Sequence, residues 1–252
     1  MKYSACIEWL FAEAGDFPDR VRSASRFGFK AVEFWKWTIK DLDALQAALN
    51  ETGMTVTACL AEPQVPLTDI ARHQAFLEGV KRTLDVARRL QAKTLIVQAG
   101  SNLNNVARDR QSEALVTCLG AAADIVRGSG VILVLEPLNT LVDHPGYFLP
   151  STVEGLDIID RVNRAEVRLL YDIYHSAVMG ENAETVVKGR VDRIAHVHLA
   201  DAPGRHEPGS GALDWRRLQE WLVAQGYDGM IGLEYRPTGR TEDSLAFLPP
   251  MR

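Results

Sequence analysis

The sequence alternates short β-branched runs with longer amphipathic stretches, and it does so about eight times. The runs are Tyr3–Ile7, Ala31–Phe34, Thr55–Leu60, Thr94–Gln98, Val131–Leu135, Val167–Tyr171, Ile194–Leu199 and Met230–Glu234. Such short runs read as buried strands of a parallel sheet. The stretches between them predict helices over Pro18–Phe27, Lys40–Glu51, Asp69–Leu90, Arg108–Arg127, Ser151–Val162, Ala183–Val191 and Trp215–Ala224. In the third, Val80, Leu84, Ala87 and Leu90 recur at three- and four-residue intervals and make one buried face. Gly28, Gly53, Gly128 and Gly226 each follow a helical stretch, where a left-handed cap favours a residue without Cβ. Ser151-Thr152-Val153-Glu154, after Pro150, has the form of a capping box. The segment after Tyr235 carries too little pattern for assignment.

Eight βα units in 252 residues, with no linker or composition break, predict an α/β fold. The expectation is a single (β/α)₈ TIM barrel over residues 1–252, since that size suits a barrel better than an open doubly wound sheet. The longer insertions, 61–67, 99–107, 139–150 and 202–213, all follow strands. They would gather at the C-terminal face, where such barrels keep their chemistry.

At 46% hydrophobic and 24% charged, the chain has material for a sizeable core. Its 28 Lys and Arg against 33 Asp and Glu give a formal charge of −5, and no basic stripe is visible. A nucleic-acid partner is therefore not expected. The longest uncharged apolar run, around Val131–Leu135, is far short of the roughly 18 residues that span a bilayer. Glu8 follows the N-terminus too soon for a secretory signal, so a cytoplasmic protein is expected, with a small-molecule substrate, no membrane partner, and assembly with further copies of itself left open. Cys6, Cys59 and Cys118 are too few and too widely spaced for a disulfide framework or a metal knuckle, and read as structural thiols. Cys59 ends a strand and is placed to face the mouth, though no basic neighbour argues for a thiolate.

The strongest signal is the set that ends the last four strands: Glu136, Asp172, His198 and Glu234. In a barrel these positions converge, and three carboxylates meeting at one mouth repel unless protons or a cation intervene. One divalent metal ion is the economical solution, and oxygen-rich coordination with one imidazole suits Mn²⁺, Mg²⁺ or Co²⁺. His196 shares the strand face of His198, but His198 lies at the C-terminal end and His196 one layer deeper. His175, Arg205 and Gln98 lie around the set as candidates for substrate binding; the planar fork of Arg205 suits an anionic or polyhydroxy ligand. His144 and His206 are weaker loop candidates, and His73 reads as a surface residue of a helix. Trp9, Trp35 and Trp37 offer apolar walls, and Glu33 either supports a ligand or forms an ion pair inside the barrel. No G-x-G-x-x-G, P-loop lysine or G-x-S-x-G elbow is present.

In the stretches Leu135-Glu136-Pro137-Leu138-Asn139, His144-Pro145-Gly146-Tyr147-Phe148 and Leu169-Leu170-Tyr171-Asp172-Ile173-Tyr174-His175, and in His196-Val197-His198-Leu199-Ala200-Asp201, Glu207-Pro208-Gly209-Ser210-Gly211 and Gly232-Leu233-Glu234-Tyr235, the chain resembles the xylose isomerase-like TIM-barrel superfamily. Within it the chain is most similar to the hydroxypyruvate isomerase group. The resemblance spans nearly the whole chain, with its specific motifs in the C-terminal half. It implies that Glu136, Asp172 and Glu234 are metal ligands, that Glu136 and Glu234 are also the acid/base pair, and that His175 and Arg205 bind substrate. It departs at His198, where hydroxypyruvate isomerases tend to carry Gln and the related ketose 3-epimerases carry His. The implied activity is metal-dependent isomerisation of a small hydroxy-oxo acid, hydroxypyruvate to tartronate semialdehyde, through an enediolate. The alternatives are a ketose 3-epimerase, a metal-dependent lyase on an oxidised sugar, a nuclease, which would need a His-rich multi-metal site and a basic face, and a binding barrel without catalysis.

Overall fold

The computed structural model of the chain describes residues 2–249. Its strands are β1 (Lys2–Cys6), β2 (Ala31–Glu33), β3 (Thr55–Val56), β4 (Ala58–Leu60), β5 (Thr94–Gln98), β6 (Ile132–Glu136), β7 (Val167–Asp172), β8 (Ile194–Leu199) and β9 (Met230–Leu233). They lie in the order β3-β2-β1-β9-β8-β7-β6-β5-β4, and the pairings are parallel. β3 and β4 are two halves of the one run predicted over Thr55–Leu60, interrupted at Thr57. The first half pairs with β2 and the second with β5. Thr57 joins the two sides, its N–H donating to Val32 O (2.9 Å) and its carbonyl accepting from Thr94 N–H (2.9 Å). The sheet closes through this residue into a barrel, which places every strand end around one mouth.

Helices α1 (Phe17–Phe27), α2 (Leu42–Thr52), α3 (Ile70–Leu90), α4 (Arg108–Val126) and α5 (Thr152–Val162) follow the periodicity closely. Their starts are chemically marked: Asp16, Asp41, Asp69 and Ser151 each accept a hydrogen bond from a backbone N–H of the first turn. Ser151 supplies half of the expected capping box, while Glu154 turns its carboxylate to Arg108. Gly28 and Gly53 are left-handed C-caps; Gly128 and Gly226 take positive φ one residue beyond the caps of their helices.

Two short helices follow β7: α6 (Ile173–Val178), which no periodicity announces in six residues, and α7 (Ala183–Val186), which corrects the longer helix expected over Ala183–Val191. α8 (Trp215–Ala224) has the predicted bounds, and α9 (Thr241–Ser244) lies in the segment that gave no sequence reading. Among the described residues, no helix is long and apolar enough to cross a membrane.

Most of the core lies between sheet and helices, and it includes Leu95, Val97, Leu133, Leu135 and Leu169. Side chains one position away point into the barrel, where Ala58, Leu60, Ile96, Val134 and Leu170 form a separate apolar cluster. Continuing the two-residue period, Gln98 follows Ile96, Glu136 follows Val134 and Asp172 follows Leu170 on this inner face. Cys59, between Ala58 and Leu60, packs in the outer core and not toward the mouth. All three cysteines are free and buried, and burial pushes the Cys59 thiol up to about 12. His73 is likewise buried, with Nε2 2.8 Å from the Leu67 carbonyl oxygen, so the surface placement is corrected.

Helix α3 passes the loop after β4 with no room for a side chain at Gly79, where a Cβ would stand 2.0 Å from Glu62 O and 2.3 Å from Pro63 Cδ. Gly79→Ala is expected to destabilise the protein by about 1–3 kcal/mol through overpacking, despite the better helix propensity of alanine. A urea titration with a lowered midpoint checks this; an unchanged or raised midpoint would show that the loop yields.

Candidate active site

The barrel brings Glu136, Asp172, His198 and Glu234 together. One ligand atom from each lies within 4.8 Å of the others, and all four residues are buried. Glu136 and Asp172 are the last residues of β6 and β7, His198 is the penultimate residue of β8, and Glu234 directly follows β9. His198 Nδ1 stands 3.4 Å from Glu136 Oε1, 3.4 Å from Glu234 Oε2 and 3.8 Å from Asp172 Oδ2. Its other nitrogen, Nε2, is 3.1 Å from Glu33 Oε1. Glu33 also meets His196 Nε2 at 2.9 Å and accepts from Ser4 Oγ at 2.6 Å. His196 is thus the deeper of the two histidines, and Glu33 supports the ring of His198 from beneath.

Both ring nitrogens of His198 are buried without a hydrogen-bond partner among the described residues. An imidazole nitrogen orphaned among three carboxylates is what a divalent cation satisfies, and three oxygens with one nitrogen suit Mn²⁺, Mg²⁺ or Co²⁺. The donor set therefore fits the expected metal. A carboxylate behind a ligating histidine orients the ring and raises its basicity, the part Glu33 is placed to take.

Electrostatics divide the carboxylates. Burial alone would raise the Glu234 carboxyl, but His198 and Arg205 overcome it and hold it well below the usual range. Burial raises the carboxyl of Asp172, and Arg205 and His198 offset this only in part. In the absence of a cation, Glu234 and Glu33 outweigh burial and raise His198. A cation held at Nδ1 would therefore displace a proton.

Arg205 sits on the loop after β8 with φ of 58°, left-handed for a residue with a side chain. The buried Asp201 holds that loop: Oδ1 accepts from Ala202 and Leu213 N–H (2.8 and 3.0 Å) and Oδ2 from Gly209 N–H (2.7 Å). The Arg205 guanidinium donates to Glu234 Oε2 at 2.5 Å, lies 3.7 Å from Asp172 Oδ2, and leaves a buried Nε–H without a partner. It faces the rings of Trp9 and Tyr174 at 4.9 and 5.1 Å.

His175 belongs to α6, whose N-cap is Asp172: Oδ1 of that residue accepts from His175 N–H at 3.0 Å. The Asn139 side-chain amide lies 2.7 Å from His175 Nδ1, and the Asn139 backbone N–H donates to it at 3.3 Å. Nδ1 is therefore an acceptor and the proton sits on Nε2, which is buried and unpartnered. Burial, then the Arg205 charge, lowers this histidine to about 3, so it is neutral.

Above the four ligand candidates opens a cavity of about 380 Å³ that reaches Glu136, Glu234, His175, Arg205, Gln98 and His144. Trp9 and Trp35, edge to face at 5.0 Å, form one wall, and Trp35 Nε1–H donates to Glu234 Oε1 at 2.6 Å. Gln98 pairs in register with Glu136 and accepts from Gln64. His206 points away, Nδ1 lying 2.7 Å from Arg236 O, and Trp37 donates to Thr83 Oγ1. Sequence reasoning assigned no part to Asp201 or Asn139, although both lie in the quoted motifs, and it passed over Lys36 and Arg236 at the cavity.

The sequence profile of the xylose isomerase-like TIM-barrel family matches residues 21–251. The chain belongs to this family. Hydroxypyruvate isomerase of Escherichia coli (strain K12) is 30% identical over 264 residues, covering 100% of each chain. The 2-oxo-tetronate isomerase of Cupriavidus necator is 31% identical over 256 residues, covering 99% of this chain and 98% of its own. The crystal structure of a Brucella melitensis protein described as AP endonuclease, family 2, superposes with a TM-score of 0.93 at 30% identity, over 100% of this chain and 99% of that one. This member of the xylose isomerase-like family is an isomerase.

Proposed function

We propose that this isomerase acts on small hydroxy-oxo acids with a divalent metal, and that its reaction is hydroxypyruvate to tartronate semialdehyde. The observation that carries the reading is the pair Glu136 and Glu234, both 3.4 Å from one nitrogen of His198 at the floor of the cavity. The names of the E. coli and C. necator relatives support the acid substrate.

The hard step is removal of a proton from carbon beside a carbonyl. Glu136, Asp172, His198 and Glu234 would hold a divalent ion, which would supply positive charge to offset the negative charge that develops on the substrate oxygens. Glu136 and Glu234 move the proton: one takes it from C3 of hydroxypyruvate and the other, or the same one, returns it to C2, while the hydroxyl proton passes from O3 to O2, so that C3 becomes the aldehyde and C2 the carbinol. Trp35 and Arg205 hold the two oxygens of Glu234 and fix its direction. The Nε2–H of His175 and the Nε–H of Arg205 are buried donors without acceptors among the described residues, suited to substrate oxygens. Gln98 adds an amide at the same cavity. The indoles of Trp9 and Trp35 cover one side and keep water from the reacting carbons.

His198 favours a second reading, a ketose 3-epimerase, in which the same two carboxylates work from opposite faces of one carbon. A nuclease would need a basic face, which a chain of formal charge −5 without a basic stripe does not offer.

The test is turnover by the Mn²⁺-, Mg²⁺- and Co²⁺-loaded protein on hydroxypyruvate, 2-oxo-tetronate, neutral ketoses and an oxidised sugar bearing a leaving group, with products identified by NMR. The acids are expected to isomerise with the highest kcat/KM. Epimerisation of a ketose without turnover of either acid would replace this reading by the second, and elimination would make the protein a lyase.

A further inference from the structure

The floor of the cavity offers an anionic substrate no net positive charge. Glu136, Asp143 and Glu234 line it, Asp172 joins Glu136 and Glu234 in the ligand cluster, and the buried guanidinium of Arg205 pairs with Glu234 and Asp172; a divalent ion bound there would, with Arg205, only cancel the three ligand carboxylates. Arg205 can donate a hydrogen bond to a substrate oxygen, but its charge does not offset that of a carboxylate. Two further cations line the same cavity, Lys36 after β2 and Arg236 after β9. Both side chains are exposed, and neither is ion-paired with an acidic group among the described residues.

Both stand on pinned backbone. The Lys36 carbonyl accepts from Lys40 Nζ at 2.8 Å, and Lys40, with its side chain 1% exposed, is anchored by Glu8 at 2.6 Å. Arg236 donates its N–H to Arg205 O at 2.9 Å, and its own carbonyl lies 2.7 Å from His206 Nδ1. The Arg236 guanidinium lies 4.9 Å from the Trp9 ring centroid, and that of Arg205 lies at the same distance. The guanidinium of the floor and the guanidinium of the rim thus share one indole.

We infer that Lys36 and Arg236 form an acid-end subsite at the rim, which receives the carboxylate of a short hydroxy acid while its reacting carbons lie over Glu136 and Glu234. The inference rests on the hydroxy-oxo acid reading and locates its specificity: unpaired cations at the mouth of an acidic protein draw in an anion that a floor without net positive charge does not itself attract. A neutral ketose has no use for the pair.

The experiment is calorimetric titration of the Mn²⁺-loaded protein with D-glycerate, which has the carboxylate but no carbonyl to react, and with glycerol, its neutral counterpart. Wild type is expected to bind glycerate better than glycerol. The double variant Lys36→Gln/Arg236→Gln is expected to lose about 10- to 100-fold in glycerate affinity, the size of one or two charge-assisted hydrogen bonds at an exposed rim. Lys36→Arg and Arg236→Lys are expected to retain most of it. With hydroxypyruvate the double variant should raise KM far more than it lowers kcat. Glycerate bound no better than glycerol by wild type, equal glycerate affinity in the double variant, or a fall in kcat at unchanged KM would each overturn the subsite. A wild type that binds glycerate through the rim and turns over no hydroxy-oxo acid would instead overturn the functional reading and leave the subsite standing.

Discussion

Asp172→Ala will abolish tight divalent-cation binding. Asp172 Oδ2 is one of three carboxylate oxygens grouped around His198 Nδ1, and among the described residues no fourth carboxylate joins that cluster to replace it. Loss of a partner outside the coordination shell costs roughly 10- to 100-fold in metal affinity, so a direct ligand should exceed that range. The same substitution also removes the N-cap of α6, because Asp172 Oδ1 accepts from His175 N–H. That part costs about 0.5–2 kcal/mol of stability and must be separated from the metal effect. Asp172→Asn preserves the cap and keeps an oxygen but removes the charge, so it should fold like wild type and still bind metal poorly. Isothermal titration with Mn²⁺ decides: unchanged affinity in both variants would move the metal away from these residues.

Glu136→Gln and Glu234→Gln will each lose roughly 10²–10⁴-fold in turnover, the range of general acid–base catalysis, because an amide cannot carry the proton. Each residue is also a proposed ligand, so metal content has to be measured beside the rate. For Glu234 the substitution also changes the partner of Trp35 and Arg205, whose N–H groups hold its two oxygens. A variant that is fully metallated and retains a near-wild-type rate would remove that residue from the chemistry.

The residues that converge on the mouth were legible because strand parity transmits directly into the barrel. Once Val134 and Leu170 face inward, Glu136 and Asp172 must do so as well, and the end of β8 selects His198 over His196. The same rule does not reach residues whose role is decided by loop backbone. Asp201 works by accepting from three N–H groups within residues 202–213, and Asn139 by supplying hydrogen bonds to His175; neither pattern has a period to detect. The helix α6 was missed for a related reason, since six residues cannot display a helical repeat, and its presence converts His175 from a loop residue into one aimed by its cap. Thr57 interrupts a run that reads as one strand because two neighbouring strands demand its N–H and carbonyl on different sides. His73 and Cys59 went astray through burial: a helix that packs on both a loop and a neighbour buries a wider face than periodicity suggests, and a one-residue offset in a strand reverses its facing. Arg205 was legible as a cation near the site but not as the partner of Glu234, which follows from a left-handed turn held by Asp201.

The most direct measurement follows hydroxypyruvate with the Mn²⁺-loaded protein in D₂O by NMR. Proton transfer through the carboxylates Glu136 and Glu234 predicts tartronate semialdehyde carrying solvent deuterium at C2, with deuterium also entering C3 of the hydroxypyruvate that remains. Hydroxypyruvate recovered unchanged, with no product and no deuterium, would contradict the proposed activity.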